Sequence, residues 1–404
     1  MKLSSITVGA FLTLKSVQGF VINPRANNNN ARFGTQIMTS TTPATTTTAA
    51  STAVDGLDPN FGAAFTQVTE KLKASISKPE MEAPLVHFTK EYFTACNNSF
   101  KAGNTNVSPE LAAMNMMKAM QYAVQYGLKD KFVFGVTHKA LKGIPEEEDG
   151  NTVDFYSFGT DFFRPVIDMN KSVVLGQEGL DKAMEQIKKG ENVVFFANHQ
   201  SEADPQVMTC LLEKAGYGKE AENVTYVAGH KVTTDMLAIP FSMGRNLICI
   251  HSKKHIDADP ETKPLKQKQN LAAMNGMLQM KKSGGAMIWV APSGGRDRRD
   301  LETGKVPIAK FDQKTVDMFR LMGNKSKVPT HYYSVSMVTY DLCPPPDFVE
   351  AGVGEQRNVR YVPVGIKISD ELENVGGVET RHLFTDHAFE VCQQGYDELC
   401  EALH

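Results

Sequence analysis

Along residues 60–143 apolar positions recur three and four apart, the spacing of one helix face. The pattern runs through FGAAFTQVTEKLKASI, PEMEAPLVHFTKEYFTACNNSF and SPELAAMNMMKAMQYAVQYGL. The last of these is predicted to open at Ser108-Pro109-Glu110, an N-cap followed by proline at the first helical position. Its stripe Leu111, Met114, Met117, Met120 and Ala123 is predicted to face a core, and the three segments together read as a small helical bundle. From Val153 onward the texture changes. Short apolar runs, VVFFA (193–197), VTYVA (224–228), NLICI (246–250), AMIWV (286–290) and YYSVSMV (332–338), read as strands. Between them GLDKAMEQIKKG, DPQVMTCLLEKAG, ETKPLKQKQNLAAMNGMLQMKKSG and TVDMFRLMG read as helices. Alternation of this kind predicts an α/β domain with a mixed sheet flanked by helices. After Pro344 only more strand and one amphipathic helix from about Asp386 are legible.

In such sheets ligands bind where loops leave the carboxyl ends of strands. Three loops qualify: NHQSEADP after VVFFA, HSKKHIDADP after NLICI, and APSGGRDRR after AMIWV.

Charge and composition confine the chemistry to those loops. The chain has 404 residues, 41% hydrophobic, and a formal net charge of −3, so it carries no overall cationic bias toward nucleic acid or anionic membrane. Its six cysteines show no paired spacing and read as buried thiols. The first 54 residues hold no Asp or Glu. Residues 1–20 have a basic start and a short apolar stretch, as in a secretory signal, and residues 21–54 are hydroxyl- and Asn-rich like a transit peptide. The tandem resembles the bipartite presequences of algae with secondary plastids, with Phe20 close to the first cleavage point. Its implied destination is the plastid stroma; secretion followed by a disordered Thr-rich stalk is the alternative. Residues 55–145 are expected to form the helical bundle domain and 146–404 the α/β domain. No later segment reaches the unbroken apolar length of a membrane span, so a soluble protein without an integral span is expected.

His199 and Asp204 share the first loop, five residues apart. Acyl transfer to a hydroxyl needs a base, and an imidazole needs a carboxylate to fix its tautomer. A helix N-cap is the rival reading for Asp204, since Asp-Pro precedes a helical stretch. No G-x-S-x-G, P-loop or G-x-G-x-x-G is present, so a covalent acyl-serine route, nucleotide hydrolysis and hydride transfer lack anchor residues. The other two loops offer cations for a phosphate: Lys253, Lys254 and His255 on one, Arg296 and Arg298 on the other. In an extended GRDR, Arg296 and Arg298 share a face and Asp297 points away. Gly294 and Gly295 would let the backbone come close to a ligand.

NHQSEADP, VAGHKVTTD, FSMGRNLICIHSKKH and WVAPSGGRDR, in this order, resemble the soluble plastid glycerol-3-phosphate acyltransferases over most of residues 150–365. The resemblance implies the glycerolipid acyltransferase fold, with a smaller N-terminal helical bundle. It implies His199 as general base, Asp204 as its orienter, and Lys254, His255, Arg296 and Arg298 around the acceptor's phosphate, with Lys253 a weaker candidate. It further implies a fatty acyl thioester of acyl carrier protein as donor, with acyl-CoA the alternative, glycerol 3-phosphate as acceptor, and no metal or bound cofactor. An acidic carrier would dock on a basic patch, for which Lys281 and Lys282 are candidates. Two positions depart from the family pattern: His230-Lys231 where an acid and a base are expected, and Arg299 in place of proline. The competing functions are a 1-acyl-glycerol-3-phosphate acyltransferase and a non-catalytic phosphometabolite or lipid binder that kept the pocket.

Overall fold

A computed structural model describes residues 56–76, 79–145, 152–252, 256–257, 259–345, 356–374 and 378–403. Both targeting signals, and Lys253, Lys254 and His255, lie outside the described residues.

Three helices open the described chain: α1 (Pro59–Ser75), α2 (Glu82–Lys101) and α3 (Pro109–Tyr122). Two have side-chain caps followed by proline. Asp58 accepts from the Asn60 amide ahead of Pro59, and Ser108 from Leu111 ahead of Pro109. The expected stripe holds only at its end, where Met120 and Ala123 are buried. Met114 and Met117 are 44% and 37% exposed, while Ala112, Met116, Ala119 and Met120 are buried. Apolar residues crowd two adjoining stripes of this helix, and periodicity cannot choose between them. The stripe that packs is the one with alanines, which let α1 and α2 approach closely. The Tyr92 ring of α2 stacks on Phe162 of α4 (Phe155–Phe163) with centroids 4.3 Å apart, and its hydroxyl donates to the Phe162 carbonyl. One apolar core therefore runs from Phe61 and Phe93 through Phe162 to Val193 and Phe195.

The main sheet has eight strands in the order β1 (Thr137–His138), β7 (Asn246–Ile250), β6 (Thr225–Gly229), β8 (Met287–Val290), β5 (Asn192–Ala197), β9 (Thr330–Val338), β10 (Gly365–Glu371), β4 (Val173–Leu175), while β2 (Ile144–Pro145) and β3 (Thr152–Val153) pair separately. The five strands from β7 to β9 are parallel; β1 and β10 run antiparallel to their inner neighbours. This is the mixed sheet that the alternating pattern predicted, and all five expected strands are present. The unbroken run of β5 follows from cover on both faces. Val193, Phe195 and Ala197 join the core shared with α5 (Gln177–Lys188) and α6 (Asp204–Lys214). Val194 and Phe196 join a second core with α9 (Lys263–Ser283), α10 (Gln313–Ser326) and α11 (Arg381–Leu403). Between them lie the short helices α7 (Gly218–Ala221) and α8 (Ala238–Met243).

Because β5 to β9 are parallel, the loops after them all leave the same edge of the sheet. Lys281 is not near a surface: it is fully buried, with Nζ donating to the Phe319 carbonyl at 3.0 Å, so it forms no part of a docking patch. Helix α9 packs that side of its last turn inward, which the lysine pair in the sequence did not reveal. Among the described residues no helix is long and apolar enough to cross a membrane.

Candidate functional site

β5 ends at Ala197 and delivers Asn198, His199 and Gln200 to the carboxyl edge of the sheet. The turn that follows is held by one side chain. Asp204, 1% exposed, folds back so that Oδ2 accepts from His199 Nδ1 at 2.7 Å and from the Gln200 amide at 2.8 Å. Its Oδ1 accepts from the amide and hydroxyl of Ser201, each at 3.1 Å, and from Thr339 Oγ1 at 2.5 Å. The capping rival does not hold: Ala203 is the N-cap of α6, with no side-chain capping bond, and Asp204 is already the first helical residue. A carboxylate oxygen accepts, so the contact places the hydrogen on Nδ1 of His199, and in the neutral imidazole Nε2 is then the nitrogen with the lone pair. The side chain is 27% exposed, open enough for a hydroxyl to reach it.

The neighbouring strands brace this loop. Asn198 spans to β9, donating to the Met337 carbonyl and accepting its amide, while Gln200 Oε1 accepts from the amides of Thr339 and Tyr340. From β8, the Trp289 ring meets the His199 imidazole edge to face at 5.7 Å. Beyond β8 the Asp297 amide donates to the His199 carbonyl at 2.6 Å. The Asp297 carboxylate accepts from Asn198 Nδ2 and from the Ala309 amide. Burial pushes that carboxyl up to about 6, against the opposing pull of those two donors and of nearby His199. Asp297 is buried, and the flanking Arg296 and Arg298 are half-buried. Gly294 before them has φ +73°, a left-handed conformation suited to glycine, whereas open space surrounds the Cβ position of Gly295. The first glycine is required by the turn itself.

Arg296 Nη1 lies 3.5 Å from Glu202 Oε1, and Glu202 Oε2 accepts from Arg357 Nε at 3.0 Å. Arg357 Nη2 is in turn 2.9 Å from Asp235 Oδ1. Burial opposes the charge on Arg357, but Glu202 and Asp235 more than offset it and hold its pKa above the ordinary value. The two departures from the family pattern are engaged locally. Arg299 pairs with Asp341 and the Gly304 carbonyl and lies over the Tyr340 ring. His230 bonds Thr233 and stacks on His251, with ring centroids 4.3 Å apart.

The structure thus brings His199 and Asp204 into contact and places Arg296 against Glu202 of the same loop. Lys254 and His255 lie outside the described residues. Sequence reasoning passed over Asn198, Gln200, Asp297, Thr339 and Arg357. The first three stood inside quoted motifs and carried a usable signal; Thr339 and Arg357 reach the site only through the fold.

Residues 181–338 match the Acyltransferase family model. The chain is 35% identical over 315 residues to "Glycerol-3-phosphate acyltransferase, chloroplastic" of Spinacia oleracea, covering 76% of this chain and 64% of that protein. It is 38% identical over 283 residues to the protein of the same name from Arabidopsis thaliana (70% and 60%). With "Glycerol-3-phosphate acyltransferase ATS12, chloroplastic" of Cucurbita moschata it shares 35% identity over 344 residues (83% and 71%).

The chain belongs to the glycerol-3-phosphate acyltransferase family.

It spans slightly under two thirds of the length of the spinach and Arabidopsis relatives. His199, Asp204, Arg296 and Arg298 fall inside the matched Acyltransferase segment, and Arg357 falls outside it.

Proposed function

We propose that this protein transfers a fatty acyl group from a thioester to the sn-1 hydroxyl of glycerol 3-phosphate, giving 1-acyl-glycerol 3-phosphate. The observation that carries the reading is the contact of His199 Nδ1 with Asp204 at 2.7 Å, beside a loop bearing Arg296 and Arg298, in a chain of this family. Nε2 of His199 takes the hydroxyl proton as the oxygen attacks the thioester carbonyl. Asp204 stabilises the resulting imidazolium. Collapse of the tetrahedral adduct breaks the C–S bond, and the imidazolium returns the proton to the departing thiolate. No covalent acyl-enzyme and no cofactor are required. Arg296 and Arg298, with Lys254 and His255 from the loop after β7, hold the phosphate and so fix which hydroxyl faces His199.

The donor in this reading is acyl carrier protein thioester. Residues 1–20 and 21–54 serve as signal and transit peptide to the plastid stroma, in keeping with the chloroplastic relatives. Protein freed of residues 1–54, given acyl carrier protein thioester and glycerol 3-phosphate, should form lysophosphatidate. Absence of product, or preference for the monoacylated acceptor over glycerol 3-phosphate, would overturn the proposal. His199→Ala should lower kcat by roughly 10²–10⁴ while the fold survives.

A further inference from the structure

We propose that Trp289 is a positioning residue for His199, a stiff wall that keeps the imidazole in line with Asp204. The inference rests on the reading of His199 as the general base.

Trp289 is the single tryptophan of the chain and stands one residue before the end of β8. Strand register fixes its neighbours, Phe195 of β5 on one side and Tyr226 of β6 on the other. Directly paired residues share a face of the sheet, and this face carries the core that Val207 and Leu211 of α6 join. The tryptophan is 4% exposed. It meets the His199 ring edge to face, with centroids 5.7 Å apart and planes at 83°, and the Tyr226 ring at 5.8 Å. The Tyr226 hydroxyl in turn donates at 3.2 Å to the carbonyl of Pro205, the residue after Asp204. One ring of this aromatic pair therefore touches the base, and the other holds the first turn of α6, which carries the base's partner.

Two features set the contact apart from ordinary packing. The bond from Nδ1 to Asp204 fixes one side of the imidazole but lets the far side, with Nε2, swing. A side chain that is 27% exposed has space to swing into, and a bicyclic ring held between two strands limits that motion. The second feature is the indole N–H: Nε1 of Trp289 is buried and has no hydrogen-bond partner. A buried donor left unpaired destabilises the fold, and phenylalanine would fill a core position without that penalty. Local rules are broken in this way where a site needs the residue, here for the size and stiffness of its ring beside the base.

The contact can be read directly in the purified enzyme, because an imidazolium quenches indole emission more strongly than a neutral imidazole does. Emission from Trp289 should fall as His199 takes up a proton, and this step should be absent from His199→Ala. No step in the parent overturns the inference, as does a step that survives His199→Ala, which the buried Asp297 carboxyl would give. In steady-state kinetics Trp289→Leu should lower kcat about 10- to 100-fold, the scale of an ångström of misplacement, with KM for both substrates within about twofold. Trp289→Phe keeps a ring in the same register and should lose less. It removes the unpaired donor together with some ring area, opposing effects on stability, so its thermal midpoint should stay within about 4 °C of the parent's. A parent-like kcat in folded Trp289→Leu, or a phenylalanine variant no more active than the leucine variant, refutes the role. If Trp289→Leu does not fold, Trp289→Met, which fills more of the space without a ring, replaces it with the same two outcomes. Parent kcat in His199→Ala would mean that the base reading fails, and the inference with it. Loss in His199→Ala beside full activity in Trp289→Leu sinks the positioning role alone.

Discussion

Asp204→Asn is the substitution that asks most of the proposed chemistry, because it keeps the shape of a residue that is 1% exposed and removes only its charge. The carboxylate receives five donors on two oxygens: His199 Nδ1 and the Gln200 amide on one, the Ser201 amide and hydroxyl and Thr339 Oγ1 on the other. An asparagine has one oxygen to offer. If it faces Ser201 and Thr339, its NH₂ meets His199 Nδ1, and the imidazole must move its hydrogen to Nε2, where the lone pair is needed. If it faces His199, the tautomer survives and the Ser201 amide loses its acceptor. In both cases the imidazolium loses an adjacent anion. At an effective dielectric of about 20 and a charge separation near 4 Å that anion is worth about 4 kcal/mol, roughly 10³ in kcat. The orphaned amide costs about 1–3 kcal/mol of stability. Thiol release at saturating substrates reads kcat, and KM for glycerol 3-phosphate should stay near its original value because the phosphate contacts lie elsewhere. Folded Asp204→Asn protein that retains more than a tenth of the original kcat would refute the assignment of His199 and Asp204 as a charge-stabilised base.

Lys281→Met tests the buried ammonium. Burial lowers the Lys281 pKa from 10.5 to about 7, so its contribution to stability is complete above the unfolded value and is lost as pH falls through about 7. That span corresponds to about 5 kcal/mol. Methionine should raise stability at pH 7 by about 1–3 kcal/mol, after loss of the Phe319 bond, and flatten its rise between pH 7 and 10. Denaturant titrations at both pH values read this, and an unaltered pH slope would contradict it. Gly323→Ala should destabilise by about 1–3 kcal/mol, since a Cβ there would stand 2.2 Å from the hydroxyl of Tyr332, which is buried in β9. A thermal midpoint equal to the parent's would show that the hydroxyl moves aside freely.

The strands β5 to β9 were legible because a parallel sheet covered on both faces writes itself as short unbroken apolar runs. The helices α5, α6, α9 and α10 were legible from periodicity and from Gly and Asp-Pro punctuation. The loop residues His199, Asp204, Arg296 and Arg298 stood out because such side chains directly after apolar runs point to a strand-end site. The face of α3 did not, because its apolar residues fill two stripes and only the neighbouring helices select one. Lys281 reads as a surface cation in sequence, and only the packing of α9 over the sheet buries it. Arg357 is the clearest case of what sequence withholds. It sits in a segment without a motif, 155 residues from Glu202, and it joins the site because β10 pairs beside β9 at the edge where the parallel strands end. The sequence by itself determined the chemistry available along each loop. The tertiary structure decided which of those groups share one charge network, since ion pairs depend on distances of a few ångströms that only the folded chain sets.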